Sequence, residues 1–387
     1  MSADIKLVGG ATPFKQNADY WGGNIVWLSS QEIKEKYVSS GTYMITQKAV
    51  DDNTTKVVKS GTPLIVTRSG ILAKRFPISI PTVDVAINQD IKALMYDAQK
   101  INTDFLVAQL QKSEEYILKS IVKSGTTVQS VNIPDLQKFE LTYPTLPEQT
   151  AIGSFFATLD SAITLHKQKL DGLRVLKKGY LQQMFPQAGE SVPRVRFAGF
   201  EGDWESKVLG EMLIERNEQV EESEEYPLMS FVGNVGVVPK GEQYDRSFLV
   251  KGADKKYKKT ELNDFIYSSN NLETGSIGFN RTGNAVISPV YSIFYSNNDS
   301  ESQFVGLLSK RKDFINKMIH YRQGVMYGQW RIHEKDFLKI NVLSPSTAEQ
   351  NKIIQFFHTI DEQITAQQTK VEQLQQLKKA YLQNMFV

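Results

Sequence analysis

Two stretches of this chain, PTLPEQTAIGSFFATLDSAITLHKQKLDGLRVLKKGYLQQMF at residues 144–185 and PSTAEQNKIIQFFHTIDEQITAQQTKVEQLQQLKKAYLQNMF at residues 345–386, are copies of each other. They align without a gap at one constant offset, and about half of the aligned positions are identical. A repeat of so long a period is unlike a solenoid, whose units recur every few tens of residues. The pattern therefore indicates a duplicated half-molecule, in which a variable block is followed twice by the same segment.

Each copy has the apolar pattern of a long amphipathic helix. Apolar residues recur at steps of three and four, from Ile152 to Met184 in the first copy and from Ile353 to Met385 in the second. This spacing places one apolar stripe along a helix, as in a coiled coil. Prolines precede both helices and interrupt neither, which is where a helix tolerates proline. About 38 residues at ~1.5 Å per residue predict a helix of about 57 Å.

Each apolar stripe needs a partner that covers it, and the other copy is the expected one. The first helix leads from the first block to the second and the second helix leads back, so we expect antiparallel packing. His166 and Gln367 interrupt the stripes at their midpoints, and a central polar pair can fix the register of a coiled coil. The residue numbers of partners should then sum to about 533. This register pairs Phe156 with Leu377, Leu159 with Leu374, Leu173 with Ile360, Leu176 with Phe357, and Tyr180 with Ile353. The alternative is that each helix packs separately on its own domain.

Length and composition limit the class of protein. A chain of 387 residues is too long for one typical core, so we expect two domains. The absence of cysteine excludes disulfides, thiolate metal sites and cysteine nucleophiles. No apolar run is long enough for a membrane span and the N-terminus has no apolar signal core, so we expect a cytoplasmic protein. The net charge of +2 neither supports nor excludes a nucleic-acid partner.

The repeat divides the chain into four segments. We expect a first variable block at residues 1–143, a first helix at 144–186, a linker with a second block at 187–344, and a second helix at 345–387. Both blocks mix helical and alternating strand patterns, which predicts an α+β fold. Their interiors differ, but their last stretches, SVNIPDLQKFELTYP and RIHEKDFLKINVLSP, are similar in pattern. One fold with two different binding surfaces is therefore expected.

This order of features resembles the specificity subunits of type I restriction-modification systems. The resemblance covers the whole chain and includes the Glu-Gln helices that end in Lys-Lys-x-Tyr-Leu-Gln and the linker VPRVRFAGFEGDWESKVLGE at residues 192–211. The opening GGATPFKQNADYWGGNIVWLSSQEI at residues 9–33 is similar to one class of target recognition domain in that family. One difference is that the lead-in Arg-Phe-x-Gly-Phe occurs only before the second block, whereas many members carry it before both.

The resemblance implies a function and a set of partners. Two target recognition domains, separated by the antiparallel helix pair and related by a pseudo-two-fold axis, would each read one half of a bipartite asymmetric sequence in double-stranded DNA. The helices would dock two modification subunits, which methylate adenine, and restriction subunits would join that core. The chain itself would have no catalytic centre and no cofactor. The alternative function is a coiled-coil scaffold that joins two protein partners without reading DNA, and a steep salt dependence of DNA binding would separate the two.

Patterns that suggest catalysis are weak. SPVY at residues 288–291 is similar to the amino-methyltransferase loop but departs from it at Val290, and we interpret it as strand. A Pro-Asp and Glu pattern at residues 134–140 lacks the lysine that a nuclease motif requires. The histidines have no metal-ligand spacing; they are His166, His320, His333 and His358.

The best candidates for DNA contacts are polar and basic residues in turns near aromatic clusters. Arg and Lys can pair with guanine and Asn and Gln with adenine, although most basic residues in such interfaces contact phosphate. The candidates in the first block are Thr12, Lys15, Tyr20, Ser29, Ser30, Arg68, Ser69, Lys74, Arg75, Lys123 and Thr126. Those in the second are Asn234, Lys240, Lys255, Lys256, Lys258, Lys259, Ser269, Asn270, Asn271, Arg281, Arg322, Tyr327, Gln329 and Arg331.

Two of these groups have a plain structural explanation as well. The run KKYKK at residues 255–259 is equally typical of a solvated loop. Trp21 and Trp27, beside Tyr20, are more typical of local core packing than of a DNA contact.

Overall fold

The computed structural model describes residues 4–125, 128–233, 235–239, 256–325 and 329–386. The chain forms two compact units, one of residues 1–169 and 367–387 and the other of residues 170–366. Both units mix helices and strands, as predicted.

The first unit contains eleven strands among its described residues. They are β1 Ile5–Gly9, β2 Trp21–Leu28, β3 Tyr37–Val38, β4 Tyr43–Ile45, β5 Val57–Val58, β6 Leu64–Val66, β7 Ile78–Pro81, β8 Val85–Ile87, β9 Ile91–Tyr96, β10 Val122–Lys123 and β11 Ser130–Val131. Its helices are α1 Gln47–Asp51, α2 Thr103–Lys112, α3 Glu114–Tyr116, α4 Ile133–Lys138 and the start of α5 Leu146–Gln183. Short 3-10 turns cover Ala18–Tyr20 and Gly70–Ala73, and a π turn covers Ile117–Ile121.

Two sheets form the frame of this unit. Their strand orders are β1-β9-β6-β7-β3 and β4-β2-β8-β5. The central strand β6 is buried on both faces: Ile65 belongs to the apolar cluster that packs on α2, and Leu64 and Val66 belong to the cluster between the sheets. Successive side chains of a strand point to opposite faces, so three apolar residues in a row serve two cores at once.

Helix α5 is fastened to the first unit through its Glu-Gln motif. The buried side chain of Gln149 accepts a hydrogen bond from the backbone of Asn102 at 2.9 Å and donates to the carbonyls of Lys100 and Pro144, each at 3.0 Å. Asn102 is the N-cap of α2. Gly153 lies against the same cap, where a Cβ atom would come within 2.7 Å of the Phe105 nitrogen. The motif therefore joins the start of α5 to the start of α2 by hydrogen bonds between the Gln149 side chain and backbone groups.

The second unit contains thirteen strands among its described residues. They are β12 Glu205–Val208, β13 Ile214–Glu215, β14 Gln219–Val220, β15 Met229–Val232, β16 Gly236–Pro239, β17 Tyr257–Thr260, β18 Phe265–Tyr267, β19 Ile277–Phe279, β20 Ala285–Ile287, β21 Ser292–Tyr295, β22 Gln323–Val325, β23 Gln329–Arg331 and β24 Asn341–Ser344. Its helices are α6 Leu209–Met212, α7 Asp299–Leu308, α8 Lys312–His320, α9 Glu334–Phe337 and the start of α10 Thr347–Asn384.

The second unit repeats the internal order of the first. Strands β21-β18-β19 are neighbours in one sheet, as β9-β6-β7 are in the first unit. Hairpin β22–β23 precedes α9 just as hairpin β10–β11 precedes α4. The expectation that SPVY is strand is wrong, because residues 288–291 form the turn between β20 and β21. A proline with no N–H to donate is favoured in such a turn.

The lead-in segment at residues 196–211 contacts the start of helix α10. The guanidinium of Arg196 donates two hydrogen bonds of 2.8 Å to the carboxylate of Glu349, which is buried at the start of α10. Glu148 holds the matching position in the first unit and is exposed. The lead-in therefore supplies the cation that allows one of the two repeated glutamates to be buried.

The helix pair follows the predicted direction. Helices α5 and α10 have 38 residues each. In the first unit the ring of Phe155 lies 4.9 Å from that of Tyr381, and His166 Nδ1 lies 2.8 Å from Gln367 Oε1. Partner numbers fall as residue numbers rise, so the helices run antiparallel and the central polar pair is confirmed. The alternative of two unpaired helices is wrong.

An ion pair repeats the same symmetry in each unit. Lys378 contacts Asp160 in the first unit, and Lys177 contacts Asp361 in the second. Each residue of one pair lies 201 positions from its counterpart in the other, the offset that also separates His166 from Gln367. Both pairs are largely buried, so the helices are joined by charge as well as by apolar contact.

The apolar pairs predicted near the ends need one correction. Leu176 and Leu377 are 47% and 44% exposed, so they lie at the edge of the helix seam. Their predicted partners Phe357 and Phe156 turn toward aromatic rings instead: Phe156 stacks on Phe386 at 5.7 Å, and Phe357 lies 6.2 Å from Phe185. In each unit these phenylalanines pack on aromatic rings rather than on the predicted leucine of the other helix. The other predicted pairs stay predictions.

None of the helices in the described part of the chain is long and apolar enough to cross a membrane.

The cysteine-free sequence allows the helix register to be tested by cross-linking. We expect the variant His166→Cys/Gln367→Cys to be joined by a short bismaleimide, because the native side chains are within hydrogen-bonding distance. The control His166→Cys/Leu374→Cys is displaced by one heptad, about 10 Å along the helix, and should react much less. Mass spectrometry of the digested full chain gives the yields. Equal yields from the two variants would contradict the register.

Candidate nucleic-acid interface

The first unit gathers several predicted residues along one edge, which we call the first polar edge. Ser130 in strand β11 pairs with Lys123 on one side and forms a bridge with Arg68 on the other. The Ser69 nitrogen donates to the Gln129 carbonyl at 3.1 Å. Residues that face each other across strands share one face of a sheet. Arg68 and Lys123, both exposed, therefore flank Ser130 on a common face.

Two further candidates follow this edge along the chain. Ser69 is the N-cap of the 3-10 turn, and the turn leads to Lys74 and Arg75. Lys74 is exposed, whereas Arg75 donates to the carbonyl of Lys34 at 3.2 Å. Lys74 is thus free to meet a ligand in solvent, while Arg75 has a structural bond.

The remaining candidates of the first unit lie in other turns. Thr12 donates to Gln89 Oε1 at 2.8 Å, and Ser29 donates to the carboxylate of Glu32 at 2.6 Å. Lys15 is exposed and Ser30 is half-buried. These polar groups are spread over separate loops and do not join the first polar edge through any contact described here.

The aromatic residues beside them pack locally. Trp27 is buried, with its indole nitrogen donating to the Ala11 carbonyl at 3.1 Å. Trp21 and Tyr43 meet it edge to face at 5.5 and 6.3 Å. Tyr20 donates from its hydroxyl to Asp52 at 3.1 Å. The interpretation of both tryptophans as packing residues agrees with this arrangement.

The second unit has a matching edge, which we call the second polar edge. The loop after β18 supports hairpin β22–β23: Asn270 Oδ1 accepts from the Trp330 nitrogen at 2.6 Å, and Ser269 Oγ accepts from the Ile332 nitrogen at 3.0 Å. The Trp330 side chain is 50% exposed. Arg331 beside it is 55% exposed and lies 3.6 Å from Glu334.

Both edges occupy the same position of the repeated fold. At the repeat offset of 201, Arg68 corresponds to Ser269, Ser69 to Asn270 and Ser130 to Arg331. In each unit the loop after a central strand meets the hairpin that precedes the last short helix. The frame is the same, and the side chains displayed on it differ.

Three other predicted residues of the second unit form ion pairs with glutamates of the same unit. Lys258 is buried and lies 4.0 Å from Glu334. Lys259 lies 3.1 Å from Glu261, whose carboxylate raises the pKa of this lysine. The guanidinium of Arg322 forms two hydrogen bonds, of 3.0 and 2.9 Å, with Glu273.

The remaining candidates for DNA contacts in the second unit include one partly buried arginine, Arg281, and two exposed residues. Arg281 lies 3.2 Å from Asp361. Asn271 is exposed and its backbone nitrogen donates to the Ser268 carbonyl, and Lys256 is exposed. The candidates outside the described residues are Thr126, Asn234, Lys240, Lys255, Tyr327 and the side chain of Gln329.

Two residues of the edges were not predicted. Trp330 is an exposed aromatic side chain flanked by polar and basic residues, a combination that suits stacking on a base. Ser130 could have been found by aligning the two blocks at the repeat offset, because it corresponds to Arg331. Sequence alone did not place either one beside the loop that supports the hairpin.

Within the described ranges, no three or more His, Asp or Glu side chains are grouped so as to hold a metal ion.

Comparison with known proteins gives a consistent result over most of the chain. The family model of the type I restriction modification DNA specificity domain matches residues 3–174 and 201–376. The chain is 31% identical over 163 residues to the type I restriction enzyme EcoR124I/EcoR124II specificity subunit of Escherichia coli, covering 41% of this chain and 40% of that protein. It is 25% identical over 167 residues to the MjaIX specificity subunit of Methanocaldococcus jannaschii, covering 42% and 38%. Each match spans about two-fifths of the length of the curated relative.

A solved structure shares the fold. The S subunit of the type I restriction-modification system from M. genitalium matches with a TM-score of 0.64 at 15% identity, covering 99% of this chain and 94% of that one. Two copies of one family domain, each ending in a long helix, account for both the repeat and the two polar edges. The chain belongs to the type I restriction-modification DNA specificity family.

Proposed function

We propose that this chain supplies the DNA sequence specificity of a type I restriction-modification complex, with each unit reading one half of a bipartite target. The observation that carries the proposal is the pair of polar edges at equivalent positions of the two units. A shared frame with unlike side chains is what two different half-sites require. The family assignment supports DNA as the class of ligand, and the residues of the two edges are the proposed contacts.

The shape of each edge suits a DNA groove. The major groove admits a two-stranded β-ribbon, and both edges are built on a two-stranded hairpin. In the first edge, Arg68 and Lys123 offer two cations around one hydroxyl. In the second, Arg331 offers a guanidinium next to Trp330, which can stack on a base. Some of these cations would contact phosphate and set the position of the hairpin without specifying a base.

The helix pair is proposed to fix the spacing between the half-sites. Helices of equal length joined in one register resist sliding, so the number of unread base pairs between the halves becomes a geometric constant. Two reading elements on one face of a duplex are separated by about one helical turn, on the order of 10 bp.

The same helices are proposed to dock two modification subunits, through which restriction subunits join. Apolar side chains that stay exposed on α5 and α10 support this part of the proposal: Leu165, Val175, Leu176 and Leu377 are between 44% and 72% exposed. A contiguous exposed apolar patch marks a surface for a protein partner, and these side chains are proposed to contribute to such patches. Catalysis is proposed to reside in those subunits.

A domain exchange tests the division of labour. Replacing residues 1–143 with the corresponding block of another family member should change one half of the methylated sequence and leave the other half intact. The reason is that each polar edge is built within one unit. Methylome sequencing of cells that carry the hybrid and its modification subunit gives both halves directly. A change in both halves would contradict the proposal.

Arg331→Ala tests the second polar edge. If the guanidinium contacts a guanine edge, binding of the target should weaken by about 1–3 kcal/mol and the loss should be confined to one half-site. A phosphate contact would instead weaken binding to all sequences and reduce the salt slope.

Lys339→Ala is the matched control for Arg331→Ala. Its side chain is 67% exposed and paired with an acid three residues away, as in Arg331, but it lies after α9 and away from the hairpin. Equal effects of the two variants would remove Arg331 from the site. Binding that does not change with salt would favour the scaffold function.

The purified chain is expected to transfer no methyl group on its own. The reason is that its proposed role is recognition, with the chemistry carried by partners. DNA incubated with a labelled methyl donor and this chain should incorporate no label, whereas addition of the modification subunit should restore incorporation. Label transferred by the chain alone, after removal of all modification subunit, would overturn this assignment.

A further inference from the structure

A basic cavity of about 980 Å³ lies within the second unit, and its described lining does not include Ser269, Asn270, Trp330 or Arg331 of the second polar edge. Helices α5, α8 and α10 and the segment around β19 form its walls. Of the described residues that line it, seven are Lys or Arg and two are Asp or Glu. The excess of positive charge is concentrated around Asp361.

Asp361 faces more cations than one carboxylate can neutralise. It forms the helix-to-helix ion pair with Lys177, and it lies 3.2 Å from Arg281 and 3.7 Å from Lys310. All four side chains are largely buried, with exposed fractions of 14% to 21%. Three basic groups around one carboxylate leave at least one positive charge without a partner in this group, and buried charges are costly unless they are paired.

The other carboxylate of the cavity does not supply the missing charge. Both oxygens of Glu273 accept hydrogen bonds from Arg322. Arg311 on the same wall is held by Asp313 and by the carbonyls of Leu181 and Pro186. The uncompensated charge therefore stays with Lys177, Arg281 and Lys310.

Two of these residues, Lys310 and Arg281, show the effect of the excess positive charge. Burial lowers the pKa of Lys310, and the charges of Lys177 and Arg281 lower it further. The Nε atom of Arg281 is buried without a hydrogen-bond acceptor among the described residues, although its guanidinium is held over the ring of Phe279. Buried polar groups are nearly always bonded, so this cluster keeps an unsatisfied donor as well as an excess of positive charge.

The first unit shows that the fold does not require this excess. There Asp160 contacts Lys378, the repeat counterpart of Lys177, and also Lys36 at 3.1 Å. Lys36 has a second carboxylate, Asp104, at 2.9 Å. Two cations meet two carboxylates, and although burial opposes it, the two acids hold the pKa of Lys36 above its usual value. The helix-to-helix ion pair is shared by both units, and cations in excess of the neighbouring carboxylates are found around Asp361 of the second unit.

We propose that the cavity binds a small phosphate-bearing ligand of nucleotide size, with its phosphate among Lys177, Arg281 and Lys310. A phosphate offers the negative charge and the acceptor oxygens that this group lacks. Partly buried apolar side chains of the same cavity, Ile315, Ile319 and Ile364, would pack on the remainder of the ligand. The volume is in the range of small-molecule sites.

Calorimetric titration of the full-length chain with pyrophosphate and with ATP, in the absence of divalent metal, tests the proposal. We expect saturable binding of both probes and tighter binding of ATP, because only ATP reaches the apolar wall. Lys177→Gln and Arg281→Gln should each weaken binding by about 10-fold or more, the usual effect of losing a charge-assisted hydrogen bond. Lys310→Met should do the same without leaving a carboxylate unpaired.

Lys378→Gln is the matched control. It breaks the repeat counterpart of the Lys177 ion pair, so it should cost a similar amount of thermal stability while leaving probe binding within about twofold. Equal losses of affinity in Lys177→Gln and Lys378→Gln would overturn the proposal, as would a wild-type chain that binds neither probe.

A second set of measurements, with duplex DNA, distinguishes this site from the DNA interface. Binding of target DNA is measured for the same variants and for Arg331→Ala. Arg331→Ala should lose affinity for DNA and keep affinity for the probes, and Arg281→Gln should show the reverse. If Arg281→Gln weakens DNA binding while the wild-type chain binds no probe, the cavity is part of the DNA interface and the proposal is wrong.

Discussion

The structure depends on the burial of one apolar stripe on each of two helices of equal length. Neither stripe can be covered by its own helix, and the two are copies, so each is the other's natural partner. Antiparallel pairing then allows a contact between the helices in one unit to recur at the repeat positions in the other. The ion pairs Asp160–Lys378 and Lys177–Asp361 and the central hydrogen bond between His166 and Gln367 follow from that rule. They fix the register, which apolar contacts alone would hold less strictly.

The repeated helices also determine how each unit is attached. Gln149 joins α5 to the N-terminus of α2 by bonding backbone groups, and in the second unit Gln350 bonds Ser344 and Pro345. These are contacts to main chain or to a residue beside the helix, so the attachment does not use the side chains of the hairpins.

The two units have similar apolar packing, but the charged residues around their repeated carboxylates differ. Glu349 is buried because the lead-in supplies Arg196, whereas Glu148 is exposed. Asp160 lies in a balanced group, whereas Asp361 is surrounded by an excess of cations. The duplicated segments carry the same carboxylates at equivalent positions. The neighbouring residues in each unit decide whether a carboxylate is paired with one cation, exposed to solvent or surrounded by several cations.

The sequence by itself determined the duplication, the length and direction of both helices, their central polar pair and the mixed fold of the blocks. These features follow from local periodicity and from connectivity, which are properties of the chain. Only the tertiary structure decided which polar residues share an edge, because Arg68, Lys123 and Ser130 are brought together by strand pairing between distant segments. It likewise turned Lys258 and Arg322 toward carboxylates, turned Phe156 and Phe357 toward aromatic neighbours, and gathered the cations around Asp361. Residue type predicts what a side chain can do, and its neighbours in space decide which of those contacts it makes.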